Sequence, residues 1–336
     1  MKNVSIIGAG SFGTALSMIL SENGCKVTLW AREEEVARTI NQKHFNPFYL
    51  QDMRLPDSVG ATTDYREALR DADMVVIATP SHAVRTVAES VAPMLSGEEI
   101  VVTVSKGIEQ ETFMTMSRVL VEVLDGSLSE DRIGVLYGPS HAEEVALFKP
   151  TTVVAAAYSK STARTIQDTF MTPMFRVYLN HDLIGVEIGG SLKNVMAIAA
   201  GIVDGAEMGD NAKAALITRG LHEMKRMGMM LGASQDTFSG LTGMGDLIVT
   251  CTSRHSRNRM VGYRIGRGET LKQIESGMTM VAEGVKTARS VHQWAQRNHV
   301  EMPLTEAVCR VLFEGERPDD IIYELMTRIP KEEIII

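Results

Sequence analysis

Two textures divide the chain. Over the first part, short apolar runs of strand length alternate with longer stretches whose apolar residues recur at helical spacing. The strand-like runs are NVSII (3–7), KVTLW (26–30), DMVVIAT (73–79), EEIVVTVS (98–105), RIGVLYG (132–138), TTVVAAA (151–157) and MFRVYL (174–179). Between them, TALSMILSENG, REALRDA, HAVRTVAESVAPML and the stretch 112–123 read as helices. Such alternation predicts an α/β fold, a Rossmann-type doubly wound and mostly parallel sheet with right-handed crossovers. From Leu183 to Thr327 the strand signals vanish. Helical periodicity, punctuated by glycine-rich turns such as GLTGMGD (240–246), predicts an all-α second domain. The boundary falls near 180–183, giving domains 1–180 and 181–336, with IPKEEIII as a tail.

Composition narrows the function classes. The 336 residues are 44% hydrophobic and 23% charged, with apolar content sufficient for sizeable cores. A net charge of -8 with no basic run argues against a nucleic-acid partner, although local cations still suit a small anion. The three cysteines, Cys25, Cys251 and Cys309, are far apart and lack CxxC spacing, and no HExxH occurs. This predicts no disulfide framework, no metal site and a reducing compartment. The apolar N-terminal segment is interrupted by glycines at fixed spacing and ends in SENG, unlike a signal peptide. No stretch reads as a membrane span, so a cytoplasmic protein is expected. The twenty-one methionines, including MKRMGMM (224–230), read as flexible core filler.

The first chemical signal is GAGSFG, which places Gly8, Gly10 and Gly13 as GxGxxG between a predicted strand and a predicted helix. Gly8 permits the tight turn, Gly10 lets backbone approach a pyrophosphate, and Gly13 lets helix and strand pack closely. The helix N-terminus favours the anion. Residues 1–180 are therefore read as the dinucleotide-binding domain and 181–336 as the helical substrate and catalytic domain. The second strand ends in LWARE. Arg32 suits a 2′-phosphate and favours NADP, while Glu33 keeps NAD open.

Ligands of doubly wound sheets bind beyond the carboxyl ends of the strands. That directs attention to ATPSH, to Lys106 in SKGIE, and to Gly138 and Ser140 in GPSHAEE, where a helix start is expected. In the helical part, Asp246 follows a glycine-rich turn, with Thr250 and then Ser256, Arg257 and Asn258 beyond it. An Arg-Asn pair in a polar loop suits phosphate; Arg254 and Arg259 read as surface charges. Glu283 and Gly284 lie at a loop-to-helix junction. In GGSLKNVMAIAAGIVDG (189–205) a single lysine, Lys193, stands among small residues. We expect those small residues to clear space for a ligand beside its ammonium group. Burial and a nearby cation lower a lysine pKa, whereas a close carboxylate raises it, and the sequence leaves that balance open.

Taken in order, GAGSFGTAL, ATPS, SKGIE, GPS-AEE, GGSLKNVMAIAAGI, DNAKAALITRGL-E, GLTGMGDLIVTCTS--SRNR-VG and EGVKTA span roughly residues 4 to 290. This series resembles the NAD(P)-dependent glycerol-3-phosphate dehydrogenases of bacterial type. One departure is His141, where that family usually carries phenylalanine. The resemblance implies reversible hydride transfer between a nicotinamide and carbon 2 of dihydroxyacetone phosphate, supplying sn-glycerol 3-phosphate for phospholipid synthesis. It implies Lys193 as proton acceptor, with Lys106 touching substrate and cofactor and Asp246 orienting a lysine or the substrate. Gly138, Ser140, Asp246, Ser256, Arg257 and Asn258 match substrate positions, and Asn194 and Thr250 are similar to residues lining the same pocket. Gly8, Gly10, Ser11, Phe12, Gly13, Arg32, Tyr49, Lys106, Ala142, Arg257, Val281 and Glu283 match cofactor positions. A homodimer is also implied. Two other readings are a β-hydroxyacid or 6-phosphogluconate-type dehydrogenase and a non-catalytic nicotinamide sensor. The SRN string and GLTGMGDL argue against the first, and the joint presence of Lys106, Lys193 and Asp246 against the second.

Overall fold

The central strands are apolar on both faces because helices cover the sheet on both sides. In the computed structural model, which describes residues 1–278, 282–330 and 332–333, eight strands form one sheet. They are β1 (Asn3–Ile7), β2 (Lys26–Trp30), β3 (Val59–Thr62), β4 (Met74–Ile77), β5 (Ile100–Thr103), β6 (Ile133–Tyr137), β7 (Thr151–Ala157) and β8 (Phe175–Leu179). Their order is β3-β2-β1-β4-β5-β6-β7-β8. The first six are mutually parallel, β7 runs antiparallel to β6, and β8 follows β7. This is the doubly wound order, with its switch point between β1 and β4.

Helices α1 (Ser11–Glu22), α2 (Glu34–Lys43), α3 (Tyr65–Leu69), α4 (Val84–Val91), α5 (Met116–Leu124), α6 (Ala142–Ala146) and α7 (Lys160–Phe170) connect the strands. The period of two divides β4 between two cores. Met74 and Val76 pack with residues of α1, α2 and α7, whereas Val75 and Ile77 pack with residues of α4 and α5. Three elements lie outside the sequence expectation, one of them α7, which buries Ala163, Ile166 and Phe170. Helix α2 buries Val36, Ala37 and Ile40 behind a charged face, and β3 reads only Val-Gly-Ala-Thr at the sheet edge. DMVVIAT is therefore the fourth strand, not the third. Helix α5 starts later than expected, because Glu111 and Phe113 adopt left-handed φ values of 69° and 58° ahead of it.

After β8 the chain is helical: α8 (Leu183–Gly205), α9 (Asp210–Met230), α10 (Asp246–Thr252), α11 (Arg257–Gly266), α12 (Leu271–Ser276), α13 (Glu283–Arg297), α14 (Pro303–Cys309) and α15 (Pro318–Met326). Contrary to expectation, α8 is long and apolar enough by composition to cross a membrane. It is instead the buried axis of the helical part, with its most apolar 18-residue window wholly inside the protein. A helix apolar all round needs such enclosure. The glycines explain how neighbours come so close. A Cβ at Gly201 or Gly205 would run into the carbonyl oxygens of Arg259 or Tyr263 on α11, and one at Gly262 or Gly266 into those of Ile198 or Ile202 on α8. Gly189 makes room for the Thr242 carbonyl, and a Cβ at Gly190 would lie 2.7 Å from the Tyr137 ring. These glycines serve protein packing, which corrects the expectation that they clear space for a ligand.

Of the methionine cluster, Met224 and Met227 are buried, but Met229 and Met230 are 53% and 60% exposed, so core filling covers only part of it. The three cysteines are buried free thiols. Among the described residues, no cluster of His, Cys, Asp or Glu has the arrangement to hold a metal ion.

Candidate active site

A cleft of ≈ 560 Å³ opens at the switch point. One end is the β1–α1 turn. Gly8 has φ 121°, and a Cβ there would come within 2.8 Å of the Ala78 carbonyl oxygen on the neighbouring strand end. A Cβ at Gly13 would meet the Gly8 carbonyl, so this glycine lets helix and turn touch. Gly10 has no protein atom within 4 Å of its would-be Cβ, and it lines the cleft. No side chain caps α1. An open glycine at an uncapped helix N-terminus fits a dinucleotide pyrophosphate. Asn46, which sequence reasoning missed, holds this end together. Its amide donates to the Ala9 carbonyl at 2.8 Å, and its oxygen accepts from the Tyr49 amide at 3.2 Å, fixing Tyr49 on the cleft wall. Arg32 lies on the same wall, with its side chain 83% exposed and 2.7 Å from Glu33.

At the other end, Lys193 projects from α8 and Lys106 from the segment after β5, and one carboxylate joins them. Lys193 Nζ donates to Asp246 Oδ1 at 2.6 Å and to Thr250 Oγ1 at 2.9 Å. Lys106 Nζ donates to Asp246 Oδ2 at 2.8 Å and to the Gly138 carbonyl at 2.9 Å. Asp246 is only 1% exposed. Asp246 and Thr250 share one face of α10 through their four-residue spacing, which points both at Lys193. Tyr137, at the end of β6, lies 5.7 Å from Lys106 Nζ and donates its hydroxyl hydrogen to the Ser105 carbonyl.

The electrostatic balance left open by the sequence now has a sign. Burial pulls the Lys193 ammonium down to about 8; Asp246 opposes that shift, and the Lys106 charge adds to it. Burial pushes the Asp246 carboxyl up, but the two ammonium groups overcome it and hold the group below its ordinary value. At neutral pH a minor but substantial fraction of Lys193 is therefore the free amine.

A second chain of contacts ties the helical part to the cleft. Asn258 Nδ2 donates to Asn194 Oδ1 at 3.0 Å, while Asn258 Oδ1 accepts from the Gly284 amide at 2.9 Å. Ser256 caps α11 by accepting from the Arg259 amide at 3.2 Å. Glu283 accepts from both the backbone and the hydroxyl of Ser81, joining α13 to the ATPSH segment. Burial pushes the Glu283 carboxyl up. Arg259 is not a surface charge: it pairs with Asp204 across α8 and α11, its Nε donating at 2.7 Å.

Most predicted positions meet on one cleft. Ser11, Phe12, Ser140, Ala142, Arg257 and Glu283 line it with the residues above. Gly13, Gly138 and Asp246 stand behind the wall, holding the turn or the lysines. Gly138 and Ser140 precede the helix start rather than form it, since α6 begins at Ala142 after His141. Val281 lies outside the described residues. Sequence reasoning missed Trp30 and His255 on the wall, while Thr79 and His82, also on it, belong to the ATPSH segment that the sequence singled out without naming them. The signal for that segment was its position at the end of β4.

Comparison with known proteins places both halves of the chain in one family. Residues 3–163 match the family described as NAD-dependent glycerol-3-phosphate dehydrogenase N-terminus, and residues 182–323 match its C-terminus. The chain is 54% identical over 331 residues to glycerol-3-phosphate dehydrogenase (NAD(P)+) 2 of Salinibacter ruber, covering 98% of this chain and 96% of that one. Identity to the Bacillus subtilis glycerol-3-phosphate dehydrogenase (NAD(P)+) is 48% over 328 residues, covering 98% and 95%. The crystal structure of glycerol-3-phosphate dehydrogenase from Coxiella burnetii superposes with a TM-score of 0.92 at 37% identity, covering 97% of this chain and 99% of that one. With both halves matched and relatives near half identical along its length, the chain belongs to the NAD-dependent glycerol-3-phosphate dehydrogenase family.

Proposed function

We propose that this protein interconverts sn-glycerol 3-phosphate and dihydroxyacetone phosphate using NAD or NADP, and so supplies glycerol 3-phosphate for phospholipid synthesis. The observation that carries the reading is the pair of lysines held on one buried carboxylate, at the far end of a cleft that begins with a glycine turn. A bound nicotinamide would take up the hydride from carbon 2 in oxidation and return it in reduction. In this reading residues 1–180 hold the cofactor and residues 181–336 supply substrate binding and proton transfer.

The neutral Lys193 amine takes the proton of the carbon-2 hydroxyl at Nζ. In the reverse direction its ammonium gives that proton to the carbonyl oxygen. Asp246 and Thr250 hold Nζ in place, because both accept its hydrogens. Lys106 brings a second cation to the same carboxylate, where it favours negative charge on the substrate oxygen. Ser256, Arg257 and Asn258 hold the phosphate, with Asn194 oriented by Asn258. Gly138 and Ser140 border the substrate, and Arg32 recognises a 2′-phosphate, which favours NADP. A non-catalytic sensor has no use for a lysine buried against its own desolvation cost.

Steady-state oxidation of NADPH and NADH with dihydroxyacetone phosphate, against a keto acid control, tests the reading; turnover on the keto acid alone would sink it. Lys193→Met should lower turnover by about 10²–10⁴-fold while cofactor affinity stays close to wild type. Arg257→Ala should raise the substrate KM by about tenfold or more, since a charged hydrogen-bonding partner of phosphate is lost. We further propose a cytoplasmic homodimer, as the resemblance implies; buried free thiols suit a reducing compartment, and light scattering tests the stoichiometry.

A further inference from the structure

Tyr137, the last residue of β6, is 0% exposed, yet its contacts run to the segments that carry the two lysines. Its hydroxyl donates to the carbonyl of Ser105, the residue before Lys106, and its ring lies 5.7 Å from Lys106 Nζ. The same ring packs on α8, where a Cβ at Gly190 would lie 2.7 Å from Tyr137 Cδ2. Gly190 stands about one turn before Lys193 on that helix. The carbonyl on the far side of Lys106 is held as well. Ser191 of α8, also 0% exposed, donates its hydroxyl hydrogen to the Gly107 carbonyl at 3.2 Å. Gly107 itself lies close against the segment after β4, where a Cβ would meet Ser81 Oγ at 2.6 Å.

A buried tyrosine hydroxyl needs a partner, and any nearby carbonyl would satisfy it. The choice of partners here is more specific than that. Two hydroxyls, one from β6 and one from the helix that carries Lys193, hold the carbonyls of the residues on either side of Lys106. A lysine side chain is a flexible four-carbon stem, so the position of its backbone decides where its ammonium can reach. We propose that Tyr137 is a positioning residue which, together with Ser191, clamps the backbone on both sides of Lys106 and so fixes its ammonium relative to Lys193. This rests on the proposed reaction. The chemical consequence is that Lys106 meets the charge developing on the substrate oxygen already in place, with no reorganisation to delay it. Attraction between the ammonium and the face of the Tyr137 ring supports the same geometry.

The test measures kcat, both KM values, the pH dependence of glycerol 3-phosphate oxidation and the thermal midpoint in wild type, Tyr137→Phe, Ser191→Ala and the double variant. Tyr137→Phe keeps the ring against Gly190 and removes only the hydroxyl. Burial, with the Glu187 and Glu283 charges adding to it, pushes that hydroxyl well above its ordinary value, so its own ionisation stays outside the assay range. Expected is a kcat loss of about tenfold or more with KM changes within about threefold, because a misplaced ammonium is missed mainly in the transition state. The rising limb should also move to higher pH in each single variant. The Lys106 charge that lowers the Lys193 pKa retreats, while Asp246 remains to raise it. The double variant should depart from the product of the single losses, since both hydroxyls hold one lysine. Should Tyr137→Phe fail to fold, the limb and kcat of Ser191→Ala decide the matter. A limb that stays in place or moves down in a folded single variant overturns the proposal. So does a rise in both KM values with kcat unchanged, which marks a packing role, and so do losses that simply multiply. Failure of wild type to turn over dihydroxyacetone phosphate would instead strike the proposed function, so the two failures are distinguishable.

Discussion

Replacing Asp246 by asparagine isolates the charge that opposes the Lys193 shift. The side chain keeps its size and one oxygen, so the 2.6 Å contact from Lys193 Nζ can persist while the negative charge disappears. The direction is fixed by sign. Asp246 raises the Lys193 pKa against burial and the Lys106 charge, so its removal must lower that pKa further. At an effective dielectric of about 20, unit charges about 3 Å apart interact by about 5 kcal/mol. At about 1.4 kcal/mol per pKa unit, that caps the shift at about four units. Relaxation and water entry roughly halve such interactions, leaving about two units. The assay is kcat/KM for glycerol 3-phosphate oxidation as a function of pH, with saturating cofactor. In wild type the activity should rise through about pH 8 as the amine forms, and the reduction of dihydroxyacetone phosphate should fall over the same range as the ammonium is lost. In Asp246→Asn the rising limb should move down to about pH 6, with a maximal rate reduced by about 10²-fold because the lysines lose their shared anchor. A limb that stays in place or moves up would refute the electrostatic account, whatever happens to the rate.

Two further substitutions probe the ends of the architecture. Arg32→Ala should raise the KM for NADPH by about tenfold with little change for NADH, since only the former carries the 2′-phosphate that a charged hydrogen bond would reward; equal effects on both would count against the assignment. Gly262→Ala should destabilise the protein by about 1–3 kcal/mol, because the new Cβ meets the Ile198 carbonyl and α8 must back away; an unchanged thermal midpoint would contradict that contact.

The legible part of this protein was the part with a local physical signature. Strands β1, β4, β5 and β6 are largely apolar runs buried on both faces, β2 alternates, and GAGSFG marks the first turn by the three jobs its glycines do. Lys106, Lys193, Asp246 and the SRN string were found by residue type at strand and helix ends and by resemblance. What stayed hidden depends on contacts between distant segments. Nothing local to Asn46 says that it holds the Ala9 carbonyl 37 positions away. Arg259 looks like a surface charge until Asp204 is brought beside it by the packing of α11 on α8. The strand β3 lacks enough β-branched residues to announce itself, and forms because β2 offers it an edge.

The glycines around Lys193 show how packing and chemistry share one helix. A small-residue stripe beside a lysine invites the idea of a ligand pocket, yet each gap tested is filled by the protein's own backbone or by Tyr137. The consequence is more useful than an empty pocket. Gly201, Gly205, Gly262 and Gly266 set the separation of α8 and α11, and the N-terminus of α11 carries Ser256, Arg257 and Asn258. Gly284 does the same for α13, whose closeness lets its amide reach Asn258 and, through it, Asn194 next to Lys193. The distance from the lysine amine to the residues proposed to hold the phosphate is therefore fixed by backbone contact rather than by flexible side chains. In the proposed reaction, proton transfer at carbon 2 and phosphate binding at the neighbouring carbon act on adjacent parts of one small molecule, and an error of about 1 Å in such positioning is enough to cost about 10²-fold in rate. Close helix packing is thus part of how the site holds its geometry.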